Sequence, residues 1–458
     1  MDSSPYKAPK YTPSSNPKYR HPLTWVPSLY FAQGLPYAVV STMALTMYKK
    51  MGVPNDQITF WLSILGLAWA FKCLWSPFLE IIKSKKAVVV TFQAIGGLSL
   101  LGAAYALRLP GFFMTSIAFL ALTSFSSATH DIAADGVYIE NLSTHDQTIY
   151  AGWLGAFWNG GKLFVKGGLV WFAGQLETTM GNAEVWSVVT VVPGVILLAL
   201  SAYHLFFMPP VRHIVVQKVS VEFVAKTMLQ VIITFLQKPG IWMAIAFIVL
   251  FRAGEGLVQP IGNLFLIELK TAGGLGLSTT ELAFAYGTFA SLAFIGGSIL
   301  GGYFEAWQGL KRSMFLMILA MNVPNLTFWY LSAYMPTNIY FITSILSIEM
   351  LGYGFGFTGL TLYIMQVVAP GKYPTAHYAL GTGIMQLGFL LFQWMSGAIQ
   401  TRLGYHDFFI WGVVAALPVL IMSLIVKVDV KEKKGIEEMQ DDEPAFPDEP
   451  GSTSNAVI

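Results

Sequence analysis

Eight ionisable residues, Lys72, Asp131, Asp135, Lys162, Lys166, Arg252, Glu255 and Glu349, fall inside long stretches whose other side chains are mainly apolar. A charge within bilayer hydrocarbon costs about 2.5–3.5 kcal/mol on insertion scales, so such groups face a cavity or one another. Two kinds of chemistry follow. Opposite charges can pair, and an isolated carboxylate can exchange a proton, because desolvation favours its neutral form and a nearby cation its charged form. Asp131 and Asp135 are four residues apart and share a helix face, as do Lys162 and Lys166. Counted from the middle of each stretch, Lys162, Glu255 and Glu349 lie within a turn of the midplane and Asp131 roughly 7 Å to one side. A lysine side chain spans that offset. Two acids are therefore expected to face two bases, with Asp131 held charged by Lys162 and Lys72 as a third candidate partner. Arg252 and Glu255, three apart, are placed to neutralise each other, whereas Glu349 has no cation on its own helix.

The residues around these charges sort the chemistry further. Glu255 lies between Gly254 and Gly256 and precedes Gln259 and Pro260, which reads as an irregular helix lining a cavity. Gln33-Gly34-Leu35-Pro36 has the same character. Trp153 and Trp158 beside Asn159 and Lys162 offer an aromatic face with hydrogen-bonding groups, suited to a sugar ring or a peptide, with a core or lipid-facing role as the alternative. Gly160, Gly161, Gly167 and Gly168 permit close helix approach. His130 is a single imidazole beside Asp131, and the sequence has no His/Cys cluster with metal spacing and no glycine-rich phosphate loop. No metal, cofactor or ATP-driven step is expected, and no nucleophile, base and orienting group assemble into an enzyme site.

The elements that carry these residues follow from composition. The 458 residues are 55% hydrophobic and 11% charged, against roughly 25% charged in a soluble domain. Lipid is the solvent for most of the chain, and uninterrupted apolar runs specify helices rather than the alternating strands of a barrel. A net charge of +2 with dispersed lysines and arginines excludes a nucleic-acid partner. The single cysteine, Cys73, excludes an internal disulfide.

At about 20 apolar residues per crossing, runs near 24–47, 57–81, 87–107, 111–140, 148–174 and 187–208 give six helices, and runs near 240–267, 281–304, 313–335, 338–367, 375–401 and 407–427 give six more. Residues 1–22 read as a disordered arm, 209–239 as a linker with an interfacial amphipathic helix, and 428–458 as a disordered acidic tail, leaving bundles at 23–208 and 240–427. With both termini inside, 18 lysines and arginines fall in cytoplasmic segments and five (Lys49, Lys50, Arg108, Lys270 and Arg402) outside. Positive residues stay on the cytoplasmic side, so both termini are expected there.

The two bundles resemble each other. LYFAQGLP aligns with LFRAGEGL, and WSPFLEIIKSKK and GGYFEAWQGLKR each place a glutamate, Glu80 or Glu305, before a basic turn. Parallel six-helix halves joined by a basic linker describe the major facilitator architecture. Gly301, Glu305, Gly309, Lys311 and Arg312 look like a variant of that family's gating motif, with a degenerate first-half copy at Glu80.

SATHDIAADG at 127–136, FKCLWSPFLE at 71–80 and FAQGLP at 31–36 resemble the AmpG-type muropeptide permeases of the major facilitator superfamily. The resemblance matches Asp131 and Asp135 to the family's acid pair, and Lys72, Trp75 and Pro77 to its second-helix motif. His130 stands where glutamine is common, Gly136 where alanine is, and Tyr138 near an expected arginine. The fold class implied is an all-α membrane protein of twelve transmembrane helices in two halves. The function implied is a proton-coupled symporter of the inner membrane, a monomer surrounded by membrane lipid, that uses the proton gradient to import a small-molecule substrate by alternating access. Muropeptides are the first choice; a siderophore, oligosaccharide or acetyl-CoA is the alternative, and a non-transporting membrane sensor the competing class. Asp131, Asp135, Glu255 and Glu349 are the candidate proton-coupling carboxylates. Gln33, Lys72, His130, Tyr138, Trp158, Asn159, Lys162, Lys166, Arg252 and Gln259 are the candidate substrate contacts.

Overall fold

A computed structural model describes residues 21–76, 79, 84–142, 144–209, 221–371 and 373–426. Glu80, nearly all of the 1–22 arm, and the acidic tail lie outside the described residues. The first half comprises α1 (Val26–Ala38, Val39–Met43 and Ala44–Lys50), α2 (Asn55–Ala70, with a short turn at Lys72–Leu74) and α3 (Lys85–Ala106). It continues with α4 (Phe112–Asn141), α5 (Thr144–Leu163, Phe164–Leu169 and Val170–Leu176) and α6 (Asn182–Phe207). A linker helix at Val221–Leu236 covers the described part of the expected amphipathic segment. The second half comprises α7 (Ile241–Phe251 and Ala253–Ile267), α8 (Thr279–Leu282, Ala283–Phe289 and Ala290–Gln308), α9 (Leu310–Asn322, Val323–Asn325 and Leu326–Tyr334) and α10 (Ile339–Tyr363 and Ile364–Val368). A single helical stretch, Pro374–Val414, is divided by Gly404 at φ 76° and ψ 175° into α11 and the start of α12, which Leu417–Ile425 completes.

Eight of these stretches are long and apolar enough to cross a membrane, one of them being Ala376–Ile425, which contains both α11 and α12. The other three crossings are α1 and α5, each interrupted by a wider turn, and α2, which is 16 residues long. The chain thus crosses twelve times, and both ends of the described chain lie at one face, here called proximal; the α1–α2, α5–α6 and α7–α8 turns lie at the distal face. Large apolar side chains such as Leu98, Trp242, Tyr303, Trp307 and Leu424 are exposed on the outside of the bundle, the pattern expected where lipid is the solvent.

The halves repeat one packing scheme. α1 packs on α5 as α7 packs on α11, and α3 packs on α4 as α9 packs on α10. The halves meet along α2–α11 and, toward the distal end, along α5–α8. At the α8–α9 turn Gly309 adopts φ 76°, a left-handed conformation that favours glycine. This turn carries Lys311 and Arg312 exposed at the proximal face.

Candidate functional site

A cavity of about 1040 Å³, part of it open to solvent, lies where the halves meet. The first half lines it with Ser41, Thr42, Asn159, Lys162 and Lys166, and the second with Arg252, Glu255, Gln259, Tyr286 and Tyr353. Four of these residues come from π-helical turns: Ser41 and Thr42 from Val39–Met43, Lys166 from Phe164–Leu169, and Tyr286 from Ala283–Phe289. An i→i+5 turn inserts one residue and re-aims the side chains around it, a device frequent at functional sites. The expected irregularity of the seventh helix is a break at Arg252 and an internal proline, Pro260, which itself lines the cavity.

Two hydrogen-bonded sets face this space from the second half. In one, Arg252 pairs with Glu255, as its three-residue spacing predicts. The Tyr353 hydroxyl donates to the other Glu255 oxygen, and Arg252 Nη1 lies 3.4 Å from that hydroxyl. The guanidinium sits between the Phe389 ring at 4.8 Å and the Phe357 ring at 5.2 Å, a favourable environment for a desolvated cation. In the other set, Tyr286 donates to Gln259 Oε1, and Gln259 Nε2 donates to Glu349 Oε1 at 2.8 Å. Glu349 is 1% exposed, and its second oxygen has no hydrogen-bond partner among the described residues. It stands one layer behind the cavity wall, joined to it through Gln259.

The first half divides its candidates between two places. Lys162 and Lys166 reach the cavity, where the Lys162 ammonium lies 4.1 Å from the centre of the Trp158 ring. Asp131 is paired elsewhere: its partner is Lys72, at 3.6 Å, not Lys162. Depth along a helix does not fix the direction in which a side chain leaves it, and α5 turns its lysines toward the second half. Tyr30 donates to Asp135 Oδ1 at 3.0 Å and stacks edge-on against Tyr138. His130 lies 3.0 Å from Gln93, which also bonds His204 at 2.9 Å, and His204 reaches Ser28 at 2.9 Å. Lys72, His130, Asp131, Asp135 and Tyr138 thus form a polar cluster among α1 to α4 and α6, buried at His130, Asp131 and Tyr138 and half-buried at Lys72 and Asp135, apart from the central cavity. Gln33, also buried and outside the cavity lining, keeps an oxygen without a partner.

At the proximal end, Gln366 donates to Glu305 at 3.2 Å, and Gly301 lies against the α10 backbone at Phe355. The distal end holds a network that the sequence does not announce. Lys49 of α1 pairs with Glu268 and donates to Asn55 at 2.9 Å; Asn55 donates to Gln400 at 2.8 Å and to Tyr405 at 2.9 Å, and Tyr405 donates to Glu268 at 3.3 Å. Thr46 bonds Asn263 at 3.2 Å, and Thr279 donates to Glu177 at 2.7 Å. The side-chain hydrogen bonds between the halves, among the described residues, gather at this end. The arrangement is a polar, cation-rich chamber between two bundles fastened on their distal side.

The missed residues have no local signature. Tyr286, Tyr353 and Tyr30 read as ordinary membrane aromatics, and the distal network joins residues more than 200 positions apart, such as Lys49 and Glu268.

A family model described as Major Facilitator Superfamily matches residues 28–391. The chain is 24% identical over 416 residues to the anhydromuropeptide permease of Escherichia coli K12, covering 87% of this chain and 78% of that protein. It is 23% identical over 411 residues to the putative transporter AmpG 4 of Rickettsia felis, covering 87% and 95%. The inward-open structure of the xylose transporter XylE from Escherichia coli superposes with a TM-score of 0.65 at 11% identity, covering 92% of this chain and 98% of that one.

Proposed function

This chain belongs to the major facilitator superfamily, and we propose that it is a proton-coupled symporter that imports muropeptides by alternating access. The observation that carries this reading is the cavity between the halves, which sets tyrosine, amide and cationic side chains in front of a buried carboxylate one hydrogen bond behind its wall. The muropeptide substrate rests on the likeness to the anhydromuropeptide permease, which would place the protein in peptidoglycan recycling.

The 18-to-5 distribution of lysine and arginine supports an inner-membrane orientation with both termini cytoplasmic. The distal face is then external, and its fastening makes this the inward-facing state. Asn159, Lys162, Lys166, Arg252 and Gln259 bind cargo. Glu349 is the coupling carboxylate. Of the four acids considered, Asp131 has Lys72, Asp135 has Tyr30, and Glu255 has Arg252 and Tyr353. Glu349 has an amide alone among the described residues, so protonation there removes an uncompensated charge and the energetic bar to moving the site. Each monomer contains a whole pathway, with the gating turn at Gly301, Glu305, Gly309, Lys311 and Arg312 at its cytoplasmic mouth.

Uptake of radiolabelled muropeptide, siderophore and disaccharide into proteoliposomes, with and without an inward proton gradient, tests the proposal. Gradient-dependent accumulation of the muropeptide is expected. Accumulation of another solute in its place would overturn the substrate, and accumulation indifferent to the gradient would overturn the coupling.

A further inference from the structure

Lys162 and Lys166 both line the cavity, and neither forms an ion pair or hydrogen bond to another described residue. The Lys162 ammonium rests on the face of Trp158, where ring and cation attract. The acid that shares the chamber, Glu255, is already satisfied by Arg252 and the Tyr353 hydroxyl, and Asp131 is engaged by Lys72. At the chamber wall Arg252 and Glu255 cancel each other, with Glu349 one hydrogen bond behind through Gln259, while the first half presents two ammonium groups about one turn apart on α5 that no described acid meets.

Two unpaired cations in a chamber walled by low-dielectric protein are costly unless an anion meets them. We infer that Lys162 and Lys166 form an acid-recognition subsite, and that the cargo must carry two anionic oxygen groups, such as a pair of carboxylates, to neutralise them. This deepens the proposed function and rests on the cavity being the cargo site. The subsite also gives cargo a part in the transport cycle. An acid bound to α5 of the first half contacts Arg252, Gln259 or Tyr353 of the second with its remaining polar groups, so the ligand draws the halves together only when its charges are met. A neutral solute of the same shape would leave two cations buried on closure, and the closed state would be disfavoured.

The test uses the full chain in lipid nanodiscs and two pairs of probes, read by isothermal titration: a muramyl dipeptide with two free carboxylates against its diamide, and glutarate against glutaramide. The wild type is expected to favour each diacid, by roughly tenfold for each lysine, the worth of a charge-assisted hydrogen bond. In Lys162→Met/Lys166→Met the diacid is expected to bind no better than the diamide, and in Lys162→Arg/Lys166→Arg the preference is expected to return. Thermal unfolding confirms that each variant is folded. If glutarate binds with this lysine dependence and neither muramyl compound binds, the acid subsite stands and the muropeptide reading fails. If the muramyl diacid and diamide bind equally well, the cargo reading stands and the subsite is overturned. Failure of both diacids to bind better than their amides, or a preference that survives loss of both lysines, also overturns it.

Discussion

Glu268→Ala is expected to release the distal end. Glu268 receives the Lys49 ion pair and the Tyr405 hydroxyl, two charge-assisted bonds worth about 1.5–3 kcal/mol each. The Lys49 and Glu268 side chains keep 14% and 18% of their exposure, so the low end applies, and the Lys49 pair, the one of the two bonds that crosses between the halves, stabilises the fastened state by about 1.5 kcal/mol. The Tyr405–Glu268 bond joins α12 to the end of α7 within the second half, so it is kept when the distal end opens and adds nothing to the difference between the two states. The variant should shift the equilibrium toward the distal-open state by roughly tenfold. Spin labels at Thr178 and Thr337, which are exposed on opposite halves near the distal face, report the change by pulsed electron paramagnetic resonance in a Cys73→Ser background. A new, longer distance component is expected in Glu268→Ala and absent from the parent. An unchanged distribution, with the variant folded, would refute the claim that this network holds the halves.

Reporter fusions at Lys85, Val216 and Lys372 should report cytoplasm, and fusions at Asn55, Glu177 and Ala272 the opposite side; a swap at two or more sites would overturn the orientation. Lys72→Met should lower stability in detergent by about 1–2 kcal/mol, less than the 3–5 kcal/mol of a fully buried pair, because the Lys72 side chain is 38% exposed. Adding Asp131→Asn should recover part of that loss, since the lone carboxylate goes with it, and a double variant no more stable than Lys72→Met would contradict the pairing.

The helices were legible because the bilayer imposes a length and an apolar composition on each crossing. The run near 24–47 became Val26–Lys50, and the run near 187–208 became Asn182–Phe207. The Arg252–Glu255 pair was legible because three-residue spacing is local. Partners on different helices were not. Asp131 and Lys162 have compatible depths, but rotation about the helix axes decides contact, and the π-helical turn at Phe164–Leu169 changes that rotation within α5. No periodicity marks such a turn. The distal network was equally hidden, because Asn55, Glu268, Gln400 and Tyr405 come together only when four separate helix ends do.

In the proposed cycle a proton on Glu349 drives accumulation, because this buried carboxylate has one amide donor and a second oxygen without a partner among the described residues. Glu349→Gln fixes the protonated form, so counterflow of labelled muropeptide in proteoliposomes should persist near the wild-type rate while accumulation under an inward proton gradient is lost. A Gln variant that concentrates muropeptide as the wild type does would exclude Glu349 as the coupling carboxylate and move that role to Asp131 or Glu255.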